Sequence, residues 1–239
     1  MQIDAVFFDI YGTLARFDPP REDIQVEAAA QHGIQATPEA IIAGYRDADR
    51  TLTEQNSARP LRLMSREEQA AFFARYEQQI LAGAGFDVSL DTAGEIWRAI
   101  RARPYGMTLF GDVVPTLDRL RADGRVVGAV SNLSQTGFQV QRDLHLEGHI
   151  DFVITSGEIG AEKPDPRMFQ AALQRAGAEP DRVVHVGDQP SSDILGARQI
   201  GLHPVLIDRD RHYEDFTDAP RISQLSEVIP LLAQMESAS

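Results

Sequence analysis

The chain has 239 residues, 43% of them hydrophobic and 25% charged, the composition of an ordinary folded protein long enough for a large domain or for a core with a smaller companion. A formal net charge of −13 argues against nucleic acid or an anionic membrane as the main partner, since both require a basic face. The absence of cysteine removes disulfides, thiolate catalysis and Cys-ligated zinc.

The N-terminus carries no basic segment leading into an apolar stretch, and no run approaches the roughly 18 apolar residues of a membrane span, so a cytoplasmic protein is expected. The first element is Val6-Phe7-Phe8, an apolar run that ends in Asp9 and is followed by Ile10-Tyr11-Gly12-Thr13-Leu14. The run reads as a buried strand and the Gly-Thr pair as the loop at its carboxyl end. Asp9 is then either an aspartate opening a surface turn or a carboxylate at the sheet edge, where it can serve as nucleophile or metal ligand.

Pro19 and Pro20 mark the exit from this first unit, and from about Arg21 to Arg103 the pattern is helical. Ile24, Val26, Ala28 and Ala29 lead to Gly33; Thr37-Pro38-Glu39 has the form of an N-cap with proline at the first helical position. Ser65-Arg66-Glu67-Glu68 reads as a capping box, opening a helix that buries Phe72, Phe73, Tyr76 and Ile80. A further helix carries Ala93, Ile96, Trp97 and Ile100. The aromatic stripe is read as packing, with substrate contact by one of its members as the alternative.

From about Leu109 the period changes. A helix over Asp112–Ala122 ends at Gly124, followed by a strand at Arg125–Val130, then Ser131-Asn132. Further helices are predicted at about Thr136–Leu144, from Pro166 to Ala176, near Asp193–Ile200 and near Ser226–Met235, and strands at Phe152–Ile154, Val183–Val186 and Pro204–Ile207. Strands alternating with helices imply right-handed βαβ units and a parallel sheet covered on both faces. The helical stretch is therefore an insertion after the first strand.

In such a sheet the polar residues at the strand ends converge on one edge. These are Asp9, Ser131-Asn132 and Asp188, with Lys163-Pro164 just ahead of a helix. Each also has a plain reading alone: Ser131 as a turn residue, Lys163 as a solvated lysine, Asp188 as part of a Gly-Asp turn, Asp193 as a helix N-cap. Their joint occurrence in this order favours a site.

The ordered set Asp9-x-Tyr11-Gly12-Thr13, Ser131-Asn132, Lys163-Pro164 and Gly187-Asp188 with Asp193-x-x-Gly196-Ala197 resembles the four motifs of the haloacid dehalogenase-like hydrolase superfamily. The resemblance spans the whole chain and implies an α/β fold, with a Rossmann-like parallel-sheet core from residues 1–15 and 108–239 and an inserted helical cap domain from residues 16–107. It implies Asp9 as nucleophile, Thr13 and Ser131 as donors to the transferring group, and Lys163 as the cation that neutralises Asp9 and substrate. It also implies a Mg²⁺ site made by Asp9, the Tyr11 carbonyl, Asp188 and Asp193, the last directly or through water, all of them hard oxygen ligands. Tyr11 and Asn132 would face substrate, or Asn132 would orient its loop.

The sequence departs from the phosphatase pattern at Tyr11, where those enzymes carry a second aspartate that protonates the leaving group and activates water. Tyrosine there resembles the 2-haloacid dehalogenases, whose halide needs no proton. Gly187-Asp188 and Asp193 instead match the magnesium-dependent members, and no arginine-bearing cap helix is recognisable, Arg16 and Arg46 being candidates by type only. The leading expectation is a Mg²⁺-dependent phosphatase of a small phosphorylated metabolite, with Asp18 or His32 as substitute proton donors. The alternatives are a metal-independent 2-haloacid dehalogenase and a weakly catalytic ligand-binding protein. A small-molecule substrate, no nucleic-acid or membrane partner, and a monomer or homodimer are expected.

Overall fold

The protein is described from a computed structural model that covers residues 2–237. Strand β1 (Ala5–Phe8) is followed by β2 (Ala15–Asp18) and then by helices α1 (Arg21–Ala30), α2 (Pro38–Ala58), α3 (Arg66–Gly83) and α4 (Leu90–Arg101). After β3 (Gly106–Leu109) come α5 (Val113–Ala122), β4 (Val126–Ser131), α6 (Gly137–Asp143), β5 (Phe152–Thr155) and α7 (Ser156–Ile159). The chain ends through α8 (Pro166–Ala176), β6 (Val183–Gly187), α9 (Leu195–Gln199), β7 (His203–Ile207), β8 (Arg221–Ile222) and α10 (Val228–Ser237). The chain forms two compact units: one runs to Arg16 and resumes at Met107, the other is Phe17–Gly106.

The first unit is an α/β layer structure around a parallel sheet of order β5-β4-β1-β6-β7-β8. A parallel sheet is buried on both faces, so its strands read as continuous apolar runs. In β1 the side chains then alternate between two cores. Val6 and Phe8 pack with Val127, Ala129, Val184 and Val186 on one face. Ala5 and Phe7 pack with Val130, Phe152 and Val183 on the other. Phe7 and Phe152 meet edge to face at 5.7 Å. Both phenylalanines of β1 are fully buried, and truncating either to alanine should cost ~3–5 kcal/mol.

β1 lies between β4 and β6. The chain runs outward through β4 and β5, then returns to the other side of β1 as β6, so the strand order reverses at β1. Open α/β sheets bind their ligands at the carboxyl ends of the strands beside such a reversal.

Several elements depart from the sequence reading. β2 and β3 form a separate two-stranded sheet; their sequences, ARFD and GMTL, lack the alternation that signals a strand. β8 spans two residues, too short for any periodicity. The segment before α9, Pro190–Ile194, is a short π-helix that contains Asp193, so Asp193 is not the N-cap considered for that helix.

The second unit is helical. Thr37 caps α2 by accepting from the Ala40 N–H at 3.3 Å, with Pro38 in the first position. The Ser65–Glu68 capping box forms at the start of α3. Ser89 caps α4 through the Thr92 N–H at 3.1 Å. α2 and α3 approach backbone to backbone at Gly44 and Gly83; a Cβ on Gly83 would lie 2.7 Å from the Gly44 Cα. Ile41, Tyr45, Phe72, Tyr76, Ile80 and Ile96 form the core, with Phe73 stacked on Trp97 at 4.5 Å and 8°. The aromatic stripe is therefore packing within this unit.

Candidate active site

Asp9 is the first residue beyond β1, its N–H donating to the Val186 carbonyl at 2.9 Å. The loop after it closes on itself: the Leu14 and Ala15 N–H groups both donate to the Ile10 carbonyl, and Gly12 N–H donates to the Ala15 carbonyl, each at 2.8 Å. Gly12 takes φ +81°, the left-handed region that only glycine adopts readily. Tyr11 is half-buried in this turn. Thr13 is fully buried. Its carbonyl accepts from Arg209 at 2.8 and 3.2 Å; Arg209 also grips Asp112 with two 3.0 Å bonds and stacks over Phe110 at 3.9 Å.

Ser131 ends β4, adjacent to β1, and is buried. Asn132 follows, and its carboxamide is spent on the Lys163 main chain. Its Nδ2 donates to the Lys163 carbonyl at 3.2 Å, and its Oδ1 accepts the Lys163 N–H at 2.7 Å. That clasp fixes the loop from which the Lys163 side chain enters the site. Asp165 caps α8 through the Arg167 N–H at 2.9 Å, anchoring the other end of the loop.

Lys163 is buried, and its Nζ donates to Asp9 Oδ1 and Asp193 Oδ1, both at 2.6 Å. Asp193 Oδ1 also takes His185 Nε2 at 3.0 Å, and its Oδ2 accepts the Gln189 N–H at 3.1 Å. Oxygens of Asp9, Asp188 and Asp193 lie within 4.8 Å of one another. The structure thus brings Asp9, Lys163, Asp188 and Asp193 into one cluster, with Thr13 and Ser131 on the loop and strand that border it. Asp18, His32 and Arg46 belong to the helical unit. There His32 Nδ1 stands 3.7 Å from Glu95, and Asp18 and Arg46 are exposed.

Three carboxylates face a single ammonium in this cluster, and the charges respond. Burial disfavours a charged Lys163, but Asp193 and Asp9 outweigh it and hold the ammonium above its usual range. Burial likewise opposes ionisation of Asp193, yet Lys163 and His185 hold it down at about 2. Asp9 is raised by burial despite Lys163. Asp188, raised first by burial and then by Asp9 and Asp193, is pushed well above the carboxylate range. Its Oδ1 is buried with no hydrogen-bond partner among the described protein atoms. A buried carboxylate oxygen left unpaired beside surplus negative charge is what a divalent cation would satisfy, and hard oxygen donors suit Mg²⁺. The residues fit that ion.

The sequence reading missed His185 and Arg209. A histidine in the middle of an apolar strand was a usable signal, because a buried imidazole requires a partner. Arg209, just past β7, carried no such mark.

Comparison with known proteins shows the family. A family model described as haloacid dehalogenase-like hydrolase matches residues 3–201. The human haloacid dehalogenase-like hydrolase domain-containing protein 3 is 29% identical over 207 residues, covering 87% of this chain and 82% of that protein. A phosphoserine phosphatase of Thermus thermophilus is 42% identical over 180 residues, covering 66% of this chain and 72% of that enzyme. The crystal structure of a 2-haloacid dehalogenase from Pseudomonas syringae pv. Tomato DC3000 superposes with a TM-score of 0.57 at 27% identity, over 98% of this chain and 100% of that one.

Proposed function

Because the chain belongs to the haloacid dehalogenase-like hydrolase family, we propose that this hydrolase is a Mg²⁺-dependent phosphatase of a small phosphorylated metabolite. The observation that carries the reading is the buried cluster in which Asp9 and Asp193 share Lys163 while Asp188 keeps an unpaired carboxylate oxygen. A dehalogenase working without metal has no use for that third carboxylate. The similarity to a phosphoserine phosphatase supports the same class of substrate.

In this reading one Asp9 oxygen is held by Lys163 and the other attacks phosphorus. The ester P–O bond breaks, the alcohol leaves with a proton, and water hydrolyses the acyl phosphate to inorganic phosphate and free Asp9. Lys163 offsets the repulsion between the Asp9 carboxylate and the incoming phosphoryl oxygens. Thr13, whose buried Oγ1 has no partner among the described atoms, and Ser131 donate to those oxygens. Asn132 acts by holding the Lys163 loop rather than by touching substrate. Asp9, Asp188 and the Tyr11 carbonyl would hold Mg²⁺, with Asp193 supporting them from its place on Lys163 and His185. The ion, when bound, supplies positive charge to the transferring group. Tyr11 provides no carboxylate for proton transfer, so Asp18 or His32 of the helical unit is the proposed substitute. That unit is proposed as the cap that selects the substrate, and the protein as a cytoplasmic enzyme.

Tyr11 and the similarity to a 2-haloacid dehalogenase favour a second reading, in which Asp9 displaces a halide with Lys163 and no metal. One experiment separates them: p-nitrophenyl phosphate and a panel of phosphorylated metabolites are assayed with and without Mg²⁺, beside 2-chloropropionate in chelator. The phosphatase reading expects phosphate release that needs Mg²⁺ and disappears in Asp9→Asn. Chloride release that persists in chelator overturns it.

A further inference from the structure

His185 lies in β6, between β1 and β7, and is fully buried. A histidine there is a poor choice for packing alone. Its ring meets Phe169 edge to face at 5.0 Å, a contact that an apolar side chain would make without bringing polar atoms into the core. Of its two nitrogens, Nδ1 is buried without a hydrogen-bond partner among the described residues. The other, Nε2, is aimed at Asp193 Oδ1 at 3.0 Å. A carboxylate can only accept, so Nε2 carries the proton in this pair. The one polar interaction of the imidazole therefore leads to the charged cluster.

Asp193 is held on every side. Oδ1 is shared by Lys163 Nζ at 2.6 Å and His185 Nε2, and Oδ2 accepts from Gln189 N–H at 3.1 Å. The Gly187 backbone closes off another direction: a Cβ on Gly187 would come within 2.5 Å of Asp193 Cβ and Oδ2. Phe169, which fixes the imidazole ring, is itself packed against Gly196, whose Cβ would lie 2.5 Å from the phenyl ring and 3.2 Å from the Pro164 Cα. The imidazole thus rests on Phe169, which is packed against Gly196, itself beside Pro164. Asp188, five positions before Asp193, has no hydrogen-bond donor to Oδ1 among the described residues.

We propose that His185 is a positioning residue: through Nε2 it locks Asp193 onto Lys163 as a counterion, and so leaves Asp188 as the carboxylate free for the cation. The two aspartates of one loop are thereby given different tasks. With Asp193 fixed, Lys163 is pinned between two carboxylates and keeps its ammonium on Asp9 Oδ1. Without His185, Asp193 loses one of its two side-chain donors and its negative charge is less neutralised. Lys163 is then drawn towards Asp193, and a cation is attracted more strongly to the cluster. This inference rests on the proposed Mg²⁺ site, and its kinetic arm rests on the phosphatase reading as well.

The test compares wild type with His185→Leu, His185→Asn and His185→Gln in the full chain. Mg²⁺ binding is measured by calorimetry without substrate, melting temperature by circular dichroism, and kcat and KM with p-nitrophenyl phosphate. Glutamine places its amide nitrogen where Nε2 stood, whereas asparagine is too short to reach and leucine has no donor. We expect Leu and Asn to lose kcat by about 10- to 100-fold, the usual cost of removing a group that orients a metal-site carboxylate, with KM little changed and Mg²⁺ bound more tightly. Gln should return both quantities towards wild type. If all three variants lose kcat alike, or Mg²⁺ affinity does not move in Leu and Asn, His185 only fills the core and the proposal is wrong. Should leucine fail to fold, asparagine against glutamine still decides. If wild type turns over no phosphate ester but binds Mg²⁺, the phosphatase reading fails and the calorimetric comparison still tests His185; if wild type binds no Mg²⁺, the proposal is wrong.

Discussion

Gly12 is packed directly against the carboxylate of Asp188: a Cβ built on Gly12 would lie 2.7 Å from Asp188 Cγ. The residue also sits at φ +81°, so its lack of a side chain serves both the turn and the neighbour. Gly12→Ala should cost ~1–2 kcal/mol from the left-handed backbone alone. It should also drive the Asp188 carboxylate out of the cluster. The expected result is a modest fall in melting temperature with a disproportionate loss of Mg²⁺ affinity by calorimetry. A variant that loses stability but binds Mg²⁺ like wild type would show that Asp188 is not held by this contact.

Lys163 is the sole cation facing Asp9 and Asp193 at hydrogen-bond distance among the described residues. Removing one partner of a buried ion pair typically costs ~3–5 kcal/mol, because the remaining charges are left uncompensated. Lys163→Met should therefore unfold at lower temperature in chelator and lose phosphatase activity. Added Mg²⁺ should raise its melting temperature more than it raises that of wild type, since the ion would then carry the whole compensation. An equal Mg²⁺ shift in both proteins would count against a shared charge balance.

The strand ends that carry Asp9, Ser131 and Asp188 were legible because parallel strands bury both faces and stop abruptly at a polar residue. The caps at Thr37 and Ser65 were legible for a similar reason, since their hydrogen bonds are local and span three residues. What the sequence did not show depends on contacts between distant segments. The Asn132 clasp joins residues 31 positions apart, and the Arg209 grip on the Thr13 carbonyl joins residues 196 apart. Asp193 was placed at the site by its motif, with a helix N-cap as the plain alternative; its tertiary partners, Lys163 and His185, could not be read from the sequence. β2 and β3 escaped because each is four residues long without alternation.

In the motif that the sequence resembles, phosphatases carry a proton-transferring aspartate at the position of Tyr11, and general acid–base help contributes about 10²–10⁴-fold. Tyr11→Asp should raise the phosphatase rate, and the gain should depend on the leaving group. An alkoxide needs a proton and p-nitrophenolate hardly does, so the increase should be larger for glycerol phosphate than for p-nitrophenyl phosphate. Steady-state kinetics on both esters reads this directly. Equal gains, or none, would show that proton transfer is supplied elsewhere.

Glu77 gives a pH dependence that belongs to the helical unit and not to the reaction. It is fully buried. Gln25 Nε2 donates to its Oε2 at 2.5 Å, the Tyr45 hydroxyl donates to Gln25 Oε1 at 2.9 Å, and Glu77 Oε1 has no partner among the described residues. Burial raises the carboxyl to about 8 from 4.5, with the Gln25 hydrogen bond opposing. The native state therefore holds this proton more tightly than the unfolded state. Below about pH 4.5 both states are protonated and the favourable contribution is complete. As pH rises the unfolded chain ionises first, and stability falls by about 1.4 kcal/mol per pH unit until the native carboxyl also ionises near 8. Glu77→Gln keeps an oxygen for Gln25 to donate to and has no proton to lose. Urea denaturation from pH 5 to 9, followed by a signal from Trp97 in this unit, should show a falling stability in wild type and a flatter profile in the variant. The variant should be the more stable protein at pH 8, by a few kcal/mol. Parallel profiles for the two proteins would mean that Glu77 is ionised in the folded state and that its charge is compensated by a group not among those named.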